Sequence, residues 1–315
     1  MILAHYYQQI PAYCKAKAAF RVPLFLLFFL LPAMAAAPGA AQAGTLQIPQ
    51  GGVARVEVTI QPGDSAPWGS YRARTVRFAA VSETRFVGLV GVDMQSDPGA
   101  SPMEVRVLRA GESLILDRFT VEVTPVDFPE QRVEGVPDSK VNLSQENLER
   151  AGREKADVQR LWESGAENPL WNDGWIMPVD ASPSGRFAHR RVFNGQPRSP
   201  HNGEDFPAPE GTPVIAPNEG IVRLAGDRFF GGNTVFLEHG GELFTFYMHL
   251  LEVTVTDGQR VHAGDLIGKV GATGRATGPH LHWGGRLGGS RINPLFLVKG
   301  APVYVAGATS EVSVR

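Results

Sequence analysis

Apolar residues at every second position, broken by glycine or proline every few residues, constrain this chain more than any other feature. Val56, Val58 and Ile60 alternate with Arg55, Glu57 and Thr59 until Gln61-Pro62-Gly63-Asp64, a turn sequence. Similar runs cover 71–81, 85–94, 103–108 and 114–126; in the last, Phe119, Val121 and Val123 alternate with Thr120, Glu122 and Thr124. Successive strand side chains point to opposite faces, so each run has one face to bury. Five or more such strands between residues 45 and 126 predict a small antiparallel sandwich, immunoglobulin-like in plan. No histidine lies between His5 and His189, so this half is expected to pack or bind and not to catalyse.

Residues 125–142 form a polar, proline-bearing connection. Ser144 then suits the cap of a helix running to about Ser164, with Leu148, Ala151, Val158, Leu161 and Trp162 on one stripe and Gly165 as its stop. Strand signals return at 214–215, 221–224, 234–239, 243–249, 266–270 and 281–286, with glycine at nearly every turn. With 36 glycines and 24 prolines in 315 residues, turns and short strands are favoured throughout. The expected fold class is mainly β. A sandwich occupies 44–128, a linker and helix 129–172, a second antiparallel β domain 173–300 and a tail 301–315.

The first 43 residues are set apart. Lys15, Lys17 and Arg21 precede an apolar run from Val22 to Leu31, and Ala41 and Ala43, or Ala35 and Ala37, offer small residues for cleavage. That order predicts a secretory signal, with an uncleaved anchor as the alternative. The uncharged stretch from Val22 to Ala37 has 16 residues and two prolines, short of the roughly 20 a spanning helix needs. Export to the periplasm or cell envelope is expected, with membrane contact only if the segment stays attached. Cleavage after Ala43 removes Cys14, the one cysteine, and moves the net charge from −2 to −5, with 27 basic against 32 acidic residues. The mature chain then has no disulfide and no cysteine chemistry. Nor does it carry a basic field for nucleic acid.

Seven of the eight histidines fall between His189 and His282. In His280-Leu281-His282, strand alternation sends both imidazoles to one face and Leu281 to the core. His201-x-x-x-Asp205 has Gly203 between its two polar residues, which is expected to let the backbone bend so that both converge. Each piece is weak alone, and His249 by itself reads as a hydrogen-bonded strand histidine. Two histidines and a carboxylate, however, fill three positions of a tetrahedral Zn²⁺ and leave the fourth for water, a catalytic arrangement. The same ligand types also serve iron oxygenases.

The segments Arg190-Arg191-x-x-Asn194-Gly195, His201-x-Gly203-x-Asp205 and Gly211-Thr212-Pro213-Val214-x-Ala216-Pro217 resemble the lysostaphin/LytM-type zinc endopeptidases. So do Tyr247-Met248-His249-Leu250, Gly258-x-x-Val261-x-x-Gly264-x-x-Ile267-Gly268 and Thr273-Gly274-Arg275-x-Thr277-Gly278-Pro279-His280-Leu281-His282-Trp283. The match runs from about 187 to 297 with the segments in the family's order. The resemblance implies a lysostaphin-type peptidase domain with one Zn²⁺ per chain held by His201, Asp205 and His282. It implies that His249 and His280 assist the attacking water and that the substrate is a peptide of peptidoglycan stems or cross-links. Glu204 stands where the family commonly has an apolar residue.

Other residues have plainer readings. His239 and His262 fit surface or turn positions, and His189 lies outside the matched ligands. Arg190, Arg191 and Arg198 either meet substrate carboxylates or face solvent. Some members of this fold have lost ligands and act as regulators that activate other wall hydrolases, which is the alternative function. Export and the segment match weigh against an oxygenase. A cell-envelope protein partner is compatible with the first β domain.

Overall fold

The structure, a computed structural model, describes residues 44–135 and 141–307. The expected signal or anchor over 1–43 lies outside the described residues, as does the end of the tail from 308. Among the described residues no helix is long and apolar enough to cross a membrane.

The alternating runs form strands. The first sheet takes β1 (Thr45–Pro49), β2 (Val53–Thr59), β3 (Trp68–Tyr71), β4 (Arg74–Ala80), β5 (Arg85–Gly91), β6 (Gly99–Arg109) and β7 (Glu112–Thr124). In β2, Val56 and Val58 are buried while Thr59 is exposed, as the alternation requires. The next elements are β8 (Glu130–Val133), helix α1 (Gln145–Glu163), β9 (Arg190–Phe193) and β10 (Gln196–Pro197). The second large sheet contains β11 (Gly203–Pro207), β12 (Pro213–Ile215), β13 (Gly220–Arg228), β14 (Gly232–Gly240) and β15 (Leu243–Val253). It also holds β16 (Arg260–Val261), β17 (Leu266–Val270), β18 (His280–Leu287) and β19 (Ser290–Ile292). A short helix α2 (Leu295–Val298) and β20 (Val303–Ala306) end the described chain.

The first sheet has the order β1-β7-β6-β3-β4-β5-β2-β20. Strand β4 pairs with β3 through residues 74–77 and with β5 through 78–80. The sheet thereby folds over one core of Ile48, Val56, Phe86, Val90, Met103, Val105 and Phe119, drawn from both halves. Both edge pairs are parallel, β1 with β7 and β2 with β20, so this half is not wholly antiparallel. Strand β20 comes from the stretch read as tail; Tyr304 stacks on Phe119 with ring centroids 3.8 Å apart. No local pattern in the sequence signals that return.

The second sheet runs β11-β18-β15-β14-β13-β16, with β12 and β17 paired and β19 on β18. Its core includes Phe206, Val235, Leu237, Tyr247, Leu250, Leu281 and Trp283, all fully buried. Helix α1 begins at Ser144, whose hydroxyl accepts the Asn147 N–H, and lays Val158, Leu161 and Trp162 on Phe236 and Phe246. The N-terminal end of the predicted stripe does not pack, because Leu148 is 53% exposed. Val53, Ala79, Val87 and Leu89 of the first sheet meet Trp171, Trp175, Leu243, Leu287 and Ile292 in a shared apolar cluster. Beside it, Asp93 accepts two hydrogen bonds from the Arg291 guanidinium at 2.6 and 2.9 Å.

Candidate active site

Three neighbouring strands carry the polar residues. On β11 and β18, Asp205 lies directly opposite His282 and Pro207 opposite His280. Alternation along β18 puts both histidines on one face while Leu281 and Trp283 fill the core. His201 precedes β11 and is held by backbone bonds in both directions, from its N–H to His189 O and from Ala188 N–H to its own carbonyl. His201 Nε2 is 3.0 Å and His282 Nδ1 2.8 Å from Asp205 Oδ1, and the two ring nitrogens are 2.9 Å apart. Their ligand-type atoms form the His-Asp-His group the sequence pointed to.

The chemistry of this cluster fits a cation. His201 Nδ1 lies 2.9 Å from the Arg186 carbonyl, which can only accept, so that nitrogen carries the proton and Nε2 presents its lone pair. The lone pair therefore faces a carboxylate oxygen, acceptor against acceptor. A proton could bridge them, but burial opposes charging the imidazole and lowers the His201 pKa, although Asp205 pulls the other way. A metal ion satisfies both groups. Donors around a tetrahedral zinc with bonds near 2.0 Å stand about 3.3 Å apart, only a few tenths of an ångström wider than these three. Burial likewise lowers His282 to about 4. Burial also opposes the charge on Asp205, but the His201 and His282 imidazoles set against it outweigh that and hold the carboxyl well below the usual range. Arg191 donates to its other oxygen at 3.1 Å.

Two neighbours of the ligands do work the sequence did not assign. Glu204 is almost wholly buried, and its carboxylate accepts from Ser184 Oγ at 2.8 Å, Arg186 N at 3.1 Å and Phe187 N at 3.3 Å. It thereby fixes the loop whose Arg186 carbonyl orients His201. Gly203 opens β11, opposite Gly284 of β18. Its missing side chain makes room: a Cβ there would stand 2.6 Å from His282 Nε2 and 2.7 Å from the Trp283 carbonyl.

His249 reaches the site by breaking the strand rule. Alternation from Tyr247, fully buried in the core, would send its ring to the core face. Instead His249 has φ +64°, in the left-handed region, and its N–H bonds Gly231 O at 2.7 Å. The pairing of β15 with β14 shifts register here, and the bulge turns the imidazole toward β18. Its ring centroid is 4.8 Å from that of His280 and 6.1 Å from that of His282. His249 Nδ1 is 2.8 Å from the Thr273 carbonyl and His280 Nδ1 2.8 Å from that of Gly278. Both Nδ1 atoms must donate, leaving each Nε2 as the free basic nitrogen. Gly232, at φ +62°, lets the 231–232 turn pack directly on Thr273 and Gly274; a Cβ there would run into Thr273.

Asp205, His249 and His280 line an open cleft of about 860 Å³, shared with Glu130, Arg132, Arg186, Arg191, Phe193 and Arg275. His189 lies on its wall, with a pKa lowered by burial. His262 is exposed, as read, but His239 is not a surface residue. It is fully buried, with Nδ1 2.6 Å from Glu219 O and Nε2 2.8 Å from Thr245 Oγ1, because its strand is covered on both faces. Arg191 is mostly buried at the cleft wall and donates one N–H to Asp205. Arg275 belongs to the Thr273–Trp283 segment, but a lone cation in a glycine-rich loop carries no signal of its role.

The model of peptidase family M23 matches residues 199–294. Peptidoglycan DD-endopeptidase ShyA of Vibrio cholerae is 40% identical over 121 residues, which are 38% of this chain and 28% of that protein. DD-carboxypeptidase/endopeptidase Mpg of Neisseria meningitidis is 40% identical over 102 residues, 32% of this chain and 24% of that protein. The chain thus matches about a quarter of the length of these curated relatives. A solved Pseudomonas aeruginosa structure assigned to peptidase M23 is 32% identical and superposes with a TM-score of 0.60, covering 79% of this chain and 94% of its own. By its segments, by the His-Asp-His cluster at β11 and β18 and by this likeness, which spans 94% of the solved chain, the chain belongs to peptidase family M23.

Proposed function

We propose that this protein is an exported zinc-dependent endopeptidase that hydrolyses peptide bonds in peptidoglycan stems or cross-links. The observation that carries the reading is the convergence of His201 Nε2, Asp205 Oδ1 and His282 Nδ1, two imidazoles with free Nε2 atoms beside them, at the wall of an open cleft. The peptidoglycan endopeptidase relatives support the substrate class, and the composition of residues 1–43 supports export to the periplasm or envelope.

His201, Asp205 and His282 would hold the Zn²⁺. When bound, zinc polarises a carbonyl and lowers the pKa of water from 15.7 to about 7. Arg191 keeps Asp205 ionised and oriented. His280, the more exposed of the two remaining histidines, accepts the proton of the attacking water at Nε2, since its Nδ1–H is committed to Gly278. His280 then passes that proton to the leaving amine as the C–N bond breaks, while His249, held by Thr273 and kept neutral by burial, accepts a hydrogen bond from the attacking water at its Nε2 and orients it. The regulator alternative requires lost ligands, and all three ligand positions and both assisting histidines are filled.

Release of soluble peptides from purified sacculi tests the reading. His282→Ala should lose both zinc and cleavage, and His280→Ala should keep zinc and lose cleavage. Full cleavage by both variants would reject these roles.

A further inference from the structure

Arg275 is a cation of the cleft that makes no ion pair among the described residues. It follows Thr273 and Gly274, so the loop that fixes His249 also fixes Arg275, whose N–H bonds the Phe230 carbonyl at 2.9 Å. Its guanidinium lies over two rings, 4.3 Å from the centroid of Phe230 and 5.1 Å from that of Phe193. Aromatic faces accept a cation but do not neutralise it, and stacking does not consume the planar fork of N–H donors. Among the other cleft cations, Arg191 pairs with Asp205 at 3.1 Å and Arg132 with Glu130 at 2.9 Å, while Arg186, like Arg275, makes no ion pair among the described residues but is not held between aromatic rings. Burial and the neighbouring charges of Arg191 and Arg198 lower the Arg275 pKa to about 10. A half-buried cation crowded by other cations gains most from an incoming anion.

We propose that Arg275 is a specificity-determining residue that captures a free carboxylate of the peptide lying in the cleft, so that the site selects acidic peptides over their amides. This rests on the peptidase reading of the cleft. The planar fork matches a carboxylate bidentately, and charge-assisted pairs of that kind separate ligands by roughly 10- to 100-fold. The carboxylate belongs either to the C terminus of the peptide or to one of its side chains.

Calorimetric titration separates the two sources. The ligands are a synthetic stem pentapeptide with one side-chain carboxylate and a free C terminus, its C-terminal carboxamide and its side-chain amide. The protein is the full chain loaded with zinc, with the zinc-free chain as a parallel sample in which no hydrolysis proceeds. The free acid should bind at least 10-fold more tightly than one of the amides, and that amide identifies the captured group. Arg275→Met, which keeps an apolar stem on the two rings, should close the gap, while Arg275→Lys should keep part of it. Equal binding of all three peptides to the wild type, no binding of any, or an undiminished gap in Arg275→Met would overturn the proposal. Intact acid selection without release of peptides from sacculi would instead overturn the hydrolase reading.

Discussion

The Nδ1 of His249 lies 2.8 Å from the carbonyl oxygen of Thr273, a bond between a strand residue at φ +64° and a loop 24 positions further along the chain. It sets the tautomer of the ring and holds it against His280. The bond exists only because a bulge turns His249 away from the core side of β15.

His249→Asn should separate chemistry from folding. Asparagine tolerates the left-handed region, so the bulge and the zinc content should persist. Loss of the basic nitrogen should lower kcat by about 10²- to 10⁴-fold. Metal analysis with turnover on sacculi checks both halves; retained activity would remove His249 from the mechanism.

Glu204 acts on the metal through the backbone. Glu204→Leu leaves the Arg186 and Phe187 amides and the Ser184 hydroxyl without their acceptor and frees the carbonyl that orients His201. Zinc affinity, measured by competition with a chromophoric chelator, should fall about 10- to 100-fold, the usual effect of losing a residue that orients a ligand. Glu204→Gln keeps one acceptor oxygen and should lose less. Wild-type affinity in both variants would confine Glu204 to packing.

Stability should fall as pH drops below neutrality. Burial lowers the His239 pKa to about 4, against about 6.5 in the unfolded chain. Above 6.5 the ring is neutral in both states and its contribution is fully present. Between 6.5 and 4 the unfolded chain binds the proton and the folded one does not, so acid favours unfolding, by roughly 3 kcal/mol at the low end. Urea midpoints of the zinc-loaded protein across this range should decline, and His239→Gln should flatten the decline. An unchanged slope in the variant would show that other groups titrate instead.

Tyr304 ties the end of the described chain to the first sheet. Its ring stacks on Phe119, and its hydroxyl donates to Asp117 at 3.1 Å. Tyr304→Ala should cost about 3–5 kcal/mol, the usual loss for a buried aromatic. Denaturant unfolding should show it, with zinc binding by the folded variant unchanged; a loss under 1 kcal/mol would mean that β20 is dispensable.

The likeness between reading and structure is uneven. His280 and His282 share a face because two-residue periodicity is a property of any strand, and Ser144 caps α1 because its hydroxyl reaches an amide three residues on. Such facts are local, and a sequence carries them directly. Asp205 and His282 could be named as a pair only through family resemblance, since nothing in either segment states that β11 and β18 are neighbours.

What the sequence by itself determined was therefore the strand content, the helix and its cap, and the side chains able to ligate a metal. Tertiary structure alone decided that His249 turns out of the core, that Glu204 is buried as an acceptor for a distant loop and that His239 lies inside. It also decided that Gly203 is needed for space and that residues 303–306 return to the first sheet. The physical reason is that burial, register and counter-charge depend on which distant segments pack together, and that choice is made by the whole core at once rather than by neighbours along the chain.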